Sequence, residues 1–140
     1  MNFMSDMFFI DTNILVYSSL KDELTKHDRA VSFITSLKGN NVFVSTQVLS
    51  ELYVALLKHG VEEASIVKIL TQITDVFNVM AITLDTVVSA WKLKKRHQFS
   101  YWDSLIVASA LEAGCTSLFT EDMQHGQILG KKIKIINPIT

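Results

Sequence analysis

The sequence has almost no cysteine, and it has no apolar run long enough to span a membrane. Its only cysteine is Cys115, so it can form neither an internal disulfide bond nor a cysteine-based zinc site. No apolar stretch approaches the roughly 18–20 residues that a membrane-spanning helix needs. Residues 1–6 contain no basic segment and carry an early acid, which is not typical of a signal peptide. We therefore expect a soluble, cytoplasmic protein.

The sequence also lacks a large excess of charge of either sign. Thirteen Lys and Arg residues face 14 Asp and Glu residues, and the formal net charge is −1. Proteins that coat nucleic acid non-specifically are usually strongly basic, so this class is disfavoured, whereas an enzyme that keeps acids around a metal site is not. Hydrophobic residues make up 49% of the 140 residues, which argues against disorder. We expect one domain that spans residues 1–140.

Strand and helix patterns alternate along the chain. Short apolar runs predict strands at 7–10, 42–44, 79–82, 117–119 and 133–136. Apolar residues at helical spacing predict helices from 22 or 25 to 37 and at 47–58, 62–77, 84–97 and 103–113, with a turn or short helix at 123–129. Strands that are continuous apolar runs indicate a parallel sheet covered on both faces. The prediction is a three-layer α/β/α sandwich around a central parallel sheet.

Two acids lie just after predicted strands. Asp11 directly follows the first strand, and the carboxyl ends of strands are where open α/β sheets bind ligands. Asp122 lies just past the fourth strand, on the same side as Thr120 if the strand alternation continues that far. Helix capping for Asp11 and a turn role for Asp122 are the structural alternatives, and Glu121 is an alternative ligand.

Two further acids lie on predicted helices. Glu51 is on or beside an apolar stripe, where an unpaired carboxylate costs several kcal/mol unless it finds a partner, a proton or a metal. The alternative is a Glu51 that reaches solvent at the edge of that stripe. Asp103 begins a helix, where an acid is ordinary, but it shares a face with the apolar Ile106 and Val107.

The four acids carry more weight together than singly. Carboxylates that are brought together repel one another and persist only with a compensating cation. Oxygen ligands suit Mg²⁺ or Mn²⁺ rather than zinc, and the four histidines are too far apart in sequence to form a metal-binding motif. Among these, His125 is expected to be exposed to solvent rather than to approach the acids.

Four segments in this order resemble the PIN-domain ribonucleases and, within them, the VapC-like toxins of type II toxin–antitoxin systems. The segments are FIDTNILVY at 9–17, STQVLSELY at 45–53, YWDSLIVASA at 101–110 and LFTEDM at 118–123. Each motif alone is loose, and four in register are fairly specific. The region from 58 to 96 is poorly constrained by these motifs, so the choice of substrate stays open.

The resemblance implies a metal-dependent endoribonuclease that hydrolyses RNA phosphodiester bonds. It implies that Asp11, Glu51, Asp103 and Asp122 form the catalytic, metal-binding set, and that Asn13 and Thr120 support it. It further implies Mg²⁺ or Mn²⁺ as cofactor, an RNA substrate, a homodimer and a cognate antitoxin protein. We expect no membrane partner.

Two other functions remain open at this point. A phosphatase could use Asp11 as a nucleophile, but such enzymes usually need a second acid two residues on, where this chain has Asn13. A catalytically silent domain could bind RNA or protein without metal, but an uncompensated set of like charges would destabilise it.

Basic and aromatic residues give weaker indications of substrate binding. Lys92, Lys94, Lys95 and Arg96, together with Lys131, Lys132 and Lys134, could form a rim that contacts phosphates, although a solvated helix end and turn explain them at least as well. Tyr101 and Trp102 could stack on bases, and packing in the core or in a dimer is the alternative.

Overall fold

The computed structural model describes residues 6–130 and 132–140. Residues 1–5, on which most of the signal-peptide expectation depends, and Lys131 of the basic set lie outside the described residues. The elements in chain order are β1 (Met7–Ile10), α1 (Thr12–Ser19), α2 (Leu24–Ser36), β2 (Asn41–Ser45), α3 (Thr46–Lys58), α4 (Glu63–Val76), β3 (Asn78–Met80), α5 (Leu84–His97), α6 (Tyr101–Glu112), β4 (Ser117–Phe119), β5 (Ile128–Leu129) and β6 (Ile133–Ile136).

The strands form one six-stranded sheet in the order β3-β2-β1-β4-β6-β5. All neighbouring pairs are parallel except β5 and β6, which are antiparallel. The helices complete a three-layer α/β/α sandwich, in which α5 packs on α6 and α1 packs on α2 and α3. The predicted fold class is confirmed, with one short antiparallel strand added at the edge. No helix in the described part of the chain is long and apolar enough to cross a membrane.

Every predicted strand and helix exists, with ends shifted by two residues or fewer. The third strand, predicted at 79–82, ends at Met80 because the Ile82 N–H donates to the Thr46 hydroxyl (3.1 Å) instead of to a neighbouring strand. The last helix, predicted from Asp103, begins at Tyr101 because Ser100 caps it.

Two elements were not predicted. Helix α1 begins directly after β1, where the side chain of Asp11 accepts a hydrogen bond from the Thr12 N–H and caps the helix. Strand β5 lies within the segment 123–129 that we expected to be a turn or a short helix, and it pairs with β6 through Ile128 and Leu129.

The core explains why these elements are held firmly in place. Phe9, Ile10, Leu118, Ile133 and Ile135 on the sheet are fully buried. Seven consecutive residues of α6, 104–110, are buried as well, so this helix is enclosed by protein on all sides after its first turn. Its first turn, which carries Asp103, is therefore fixed relative to the sheet.

The strand order reverses between β1 and β4, and this reversal forms a topological switch point at the carboxyl ends of the two strands. The chain runs outward from β1 to β2 and β3, and then returns to the other side of β1 to form β4. Ligands of open α/β sheets bind at such a point, beyond the carboxyl ends of the strands. Strands β1 and β4 are in register there, with Ile10 opposite Phe119, and the Asp11 N–H donates to the Phe119 carbonyl (2.9 Å). The polar residues after both strands therefore meet.

Candidate active site

Three aspartates converge at this switch point. One carboxylate oxygen from each of Asp11, Asp103 and Asp122 lies within 4.8 Å of the others. Asp11 is buried (4% exposed), Asp103 is partly buried and Asp122 is exposed. They come from the end of β1, the first turn of α6 and the loop after β4, so the cluster depends on the tertiary fold. Three of the four predicted acids therefore share one site.

Asp11 lies in the site and also caps a helix. Its Oδ1 accepts from the Thr12 N–H (2.7 Å), and its Oδ2 accepts from the Thr120 hydroxyl (2.8 Å). Burial, and to a smaller extent the charges of Asp122 and Asp103, raise the pKa of Asp11 from 3.8 to about 7, although the two hydrogen bonds act to lower it. The ionised form of Asp11 is thus disfavoured near neutral pH unless a cation compensates its charge.

Asp103 is not needed as the cap of its own helix. The Ser100 hydroxyl accepts from the Asp103 N–H (3.1 Å) and takes that role. Burial raises the pKa of the Asp103 carboxyl, and the charges of Asp122 and Glu51 add to the rise, while the hydrogen bond with Ser100 opposes it. The Asp103 carboxylate is therefore available as a ligand in the site, where the charges of its acidic neighbours disfavour its ionised form.

Glu51 lies beside the three aspartates rather than among them. Its Oε1 accepts from the Thr12 hydroxyl (2.6 Å), and its Oε2 accepts from the side-chain amide of Gln47 (3.3 Å). Both carboxylate oxygens of Glu51 are thus held in fixed directions. A side chain that reached solvent at the edge of the apolar stripe would not be held in this way. Glu51 lines the same cleft as the aspartates and its charge acts on Asp103.

Thr120 and Asn13 connect the acids to one another. The Thr120 Oγ1 donates to Asp11 and accepts from the Asp122 N–H (3.1 Å) and the Asn13 Nδ2 (3.3 Å). The Asn13 Oδ1 accepts from the Glu121 N–H (3.2 Å), which fixes the orientation of the amide because a backbone N–H can only donate. These contacts hold the loop after β4 against the start of α1.

Glu121, the alternative ligand, is not in the carboxylate cluster. It accepts hydrogen bonds from the Tyr17 hydroxyl (2.6 Å) and from the Lys26 ammonium (2.6 Å), with which it forms an ion pair. Since both of its oxygens are committed to these partners, Asp122 is the acid of this loop that faces the cluster.

The acids open into a cleft of about 910 Å³. Many of its lining residues were not predicted as site residues, among them the polar Thr12, Gln47, Lys58 and His59. Gln47 lies one helical turn before Glu51, so its contact could have been inferred from helical spacing. The contact of Thr12 with Glu51 joins residues 39 positions apart and had no signal in the sequence.

Gln47 also joins the two sides of the cleft. Its Nε2 donates to the Trp102 carbonyl (3.1 Å) as well as to Glu51, and because both partners are acceptors the orientation of the amide is fixed. Its buried Oε1 has no hydrogen-bond partner among the described residues.

The described residues of the predicted basic rim do not line the cleft. Lys92, Lys94, Lys95 and Arg96 are exposed at the end of α5, where Lys94 and Lys95 border a separate surface depression, and Lys132 and Lys134 are exposed elsewhere. Basic residues at the end of α5 suit the negative end of the helix dipole. This agrees with the alternative interpretation, in which these residues form a solvated helix end. His125 is exposed, as expected, and its Nδ1 accepts from the Asn137 N–H (2.9 Å).

Comparison with protein families gives a match over most of the chain. The model of the PIN domain matches residues 8–128, which include Asp11, Glu51, Asp103 and Asp122. Comparison with curated protein sequences gives no significant match.

Solved structures share the fold at low sequence identity. VapC20 of Mycobacterium tuberculosis, a sarcin–ricin loop cleaving toxin, is 23% identical, with a TM-score of 0.70 over 82% of this chain and 91% of that one. A toxin–antitoxin complex from Klebsiella pneumoniae is 19% identical, with a TM-score of 0.69 over 93% and 96% of the two chains. VapBC2 from Rickettsia felis, bound to a promoter DNA fragment, is 17% identical, with a TM-score of 0.70 over 94% and 99%.

The raised pKa of Asp11 predicts how the stability of the metal-free protein depends on pH. Between about pH 4 and 7 the folded protein holds a proton on Asp11 that the unfolded chain has lost. Asp11 therefore makes the free energy of unfolding fall as pH rises through this window, at about 1.4 kcal/mol per pH unit at most. The variant Asp11→Asn should lack this component, which urea unfolding in chelator at pH 4.5, 6 and 8 measures.

The quantity to follow is the difference in free energy of unfolding between wild type and Asp11→Asn. Weaker hydrogen bonds in the variant would change this difference by the same amount at every pH. The titration of Asp11 instead makes the difference fall as pH rises from about 4 to 7. The exposed Asp75 on α4 provides the control, since Asp75→Asn should run parallel to wild type. A difference for Asp11→Asn that is constant across the three pH values would contradict the assignment.

Proposed function

This chain belongs to the PIN domain family, and we propose that it is a metal-dependent endoribonuclease that hydrolyses phosphodiester bonds in RNA. The observation that carries the proposal is the convergence of Asp11, Asp103 and Asp122 at the switch point of the sheet, with oxygens within 4.8 Å of one another. Burial and the charges of their neighbours disfavour the ionised forms of Asp11 and Asp103, so the cluster calls for a cation.

The donor set fits Mg²⁺ or Mn²⁺. The cluster offers carboxylate oxygens alone, which these ions prefer, and it contains no histidine or cysteine to select zinc. Two oxygens bound to one Mg²⁺ at about 2.1 Å are at most about 4.2 Å apart, so the observed spacing is close to what a shared ion requires. Asp11, Asp103 and Asp122 would hold the ion.

A bound divalent ion would lower the pKa of a water molecule and stabilise charge on the phosphate and the leaving oxygen. The chain's own residues organise that chemistry. Thr120 and the Thr12 N–H hold Asp11 in one rotamer, and Ser100 caps α6 in place of Asp103. Glu51, which Thr12 and Gln47 hold beside the cluster, would orient the attacking water and receive its proton. No covalent nucleophile is needed.

The other two functions find less support. A phosphatase of the Asp-nucleophile type needs an acid at position 13, but the Asn13 amide is occupied by Thr120 and by the Glu121 N–H. A silent binding domain has no use for three acids that are held within 4.8 Å of one another and repel one another.

We further propose that the enzyme is the toxin of a toxin–antitoxin pair that acts in the cytoplasm as a homodimer. The support is the shared fold with VapC20, described as a toxin, and with chains from toxin–antitoxin complexes. The cognate antitoxin is then the protein partner, and RNA is the substrate.

The first test of activity removes one ligand charge. Asp103→Asn and Asp11→Asn should each lower the rate of Mn²⁺- or Mg²⁺-dependent RNA cleavage at saturating RNA by about 100-fold or more, because even outer-shell partners of a metal cost about 10- to 100-fold. Cleavage of a labelled RNA by purified protein, with each metal and with chelator, measures the loss. Asp75→Asn is the matched control and should cut at the wild-type rate. Variants of Asp11 or Asp103 that cut as fast as wild type would refute the assignment.

The second test concerns the toxin role. Expression of the wild-type chain without a partner should arrest bacterial growth, and Asp103→Asn should relieve the arrest. Growth curves at matched protein levels, checked by immunoblot, measure the effect. If the two strains grow alike, the toxin proposal is wrong even where the purified enzyme cleaves RNA.

A further inference from the structure

Trp102 is an exposed aromatic side chain beside the carboxylate cluster. It is 60% exposed, although it directly precedes Asp103 in a helix whose residues 104–110 are all buried. It lines the same cleft as the acids, so packing in the monomer's core does not explain it. Exposed apolar surface next to a polar site is typical of a binding surface.

The backbone that carries Trp102 is held in place. Its carbonyl accepts from Gln47 (3.1 Å), and Ser100 caps the helix two residues earlier. The ring of Tyr101 packs edge-on against the indole, with centroids 5.2 Å apart. The indole is thus anchored near its base and still presents most of its surface to solvent.

The rest of the cleft defines what chemical group would lie on the indole. Its walls include the apolar side chains of Val54, Ile82 and Leu105, and the carboxylates and Lys58 on α3 line it as well. A ligand suited to this surface has a flat apolar ring and an anion attached to it. The anion would meet the cation held by the acids, and the ring would lie against Trp102. A nucleotide of an RNA strand has both groups.

On the basis of the proposed function, we propose that Trp102 is a stacking platform for an unpaired nucleobase next to the phosphate that is cleaved. Bases inside a duplex have both faces covered by their neighbours, so only a base in a single strand, loop or bulge can stack on a side chain. The substrate is therefore RNA with an unpaired base at the cleavage site. Stacking of this kind tolerates all four bases, so Trp102 selects unpaired structure rather than sequence.

The chain offers a direct spectroscopic test, because it has two tryptophans and the other, Trp91, is also exposed (57%) but lies outside the cleft on α5. In Trp91→Phe, fluorescence excited near 295 nm reports Trp102 alone. Adding a single-stranded RNA oligonucleotide in chelator should quench this fluorescence, whereas an abasic oligonucleotide of equal length and charge should not. Equal quenching by both ligands would overturn the proposal.

Kinetics in Mn²⁺ supply the second measurement. Trp102→Leu keeps an apolar side chain but removes the aromatic ring, so it should raise the KM for single-stranded RNA about 5- to 150-fold, with a smaller change in kcat. Trp102→Phe should restore most of the loss, and Trp91→Leu should match wild type. An unchanged KM in Trp102→Leu would overturn the proposal.

Two outcomes separate this inference from its alternatives. In the first outcome, size-exclusion chromatography shows that Trp102→Leu dissociates a dimer, and the KM of the variant returns to the wild-type value at protein concentrations that restore the dimer. The indole is then a subunit contact, and the proposal is wrong. If wild type cleaves no RNA with either metal but single-stranded RNA still quenches Trp102 selectively, the stacking platform is supported and the proposed nuclease activity is wrong.

Discussion

The repulsion between Asp11, Asp103 and Asp122 is the constraint around which this structure is arranged. Their oxygens lie within 4.8 Å of one another, and burial raises the pKa of Asp11 to about 7. Folding must hold these groups together against their charge, and the buried sheet and the enclosed helix α6 provide the rigidity. Such an arrangement is stable only with a proton or a cation, which links the fold directly to metal binding.

A continuous chain of hydrogen bonds aligns the acids within that framework. It runs from Asn13 through Thr120 to Asp11, continues through Thr12 to Glu51, and ends through Gln47 at the Trp102 carbonyl. Every link except the one between Gln47 and Glu51, which lies within α3, joins a different pair of elements among β1, β4, α1, α3 and α6 or the residues that directly follow them. The side chains are therefore oriented before any ligand binds, which limits the reorganisation that catalysis has to overcome.

The sequence allowed the fold class and the acidic set to be predicted because both follow from local patterns. Asp11 and Asp122 end apolar strands, and parallel strands bring their carboxyl ends to one edge. The contacts between distant residues had no such signal. The bond from Thr12 to Glu51 and the pairing of Glu121 with Lys26 join residues 39 and 95 positions apart, and only tertiary packing creates them. The basic run 92–96 does not line the cleft, and its position along a helix could not show which cleft the helix borders.

Binding of Mn²⁺ to the metal-free protein tests the central claim, namely that three aspartates hold one divalent ion, without reference to RNA. Electron paramagnetic resonance of free Mn²⁺ during a titration at pH 8 gives the affinity and the number of sites per chain. We expect specific binding by wild type and by Asp75→Asn, and binding at least about 10-fold weaker by Asp122→Asn, since removing even an outer-shell partner of a metal costs about 10- to 100-fold. Equal affinities for wild type and Asp122→Asn would contradict a shared metal site.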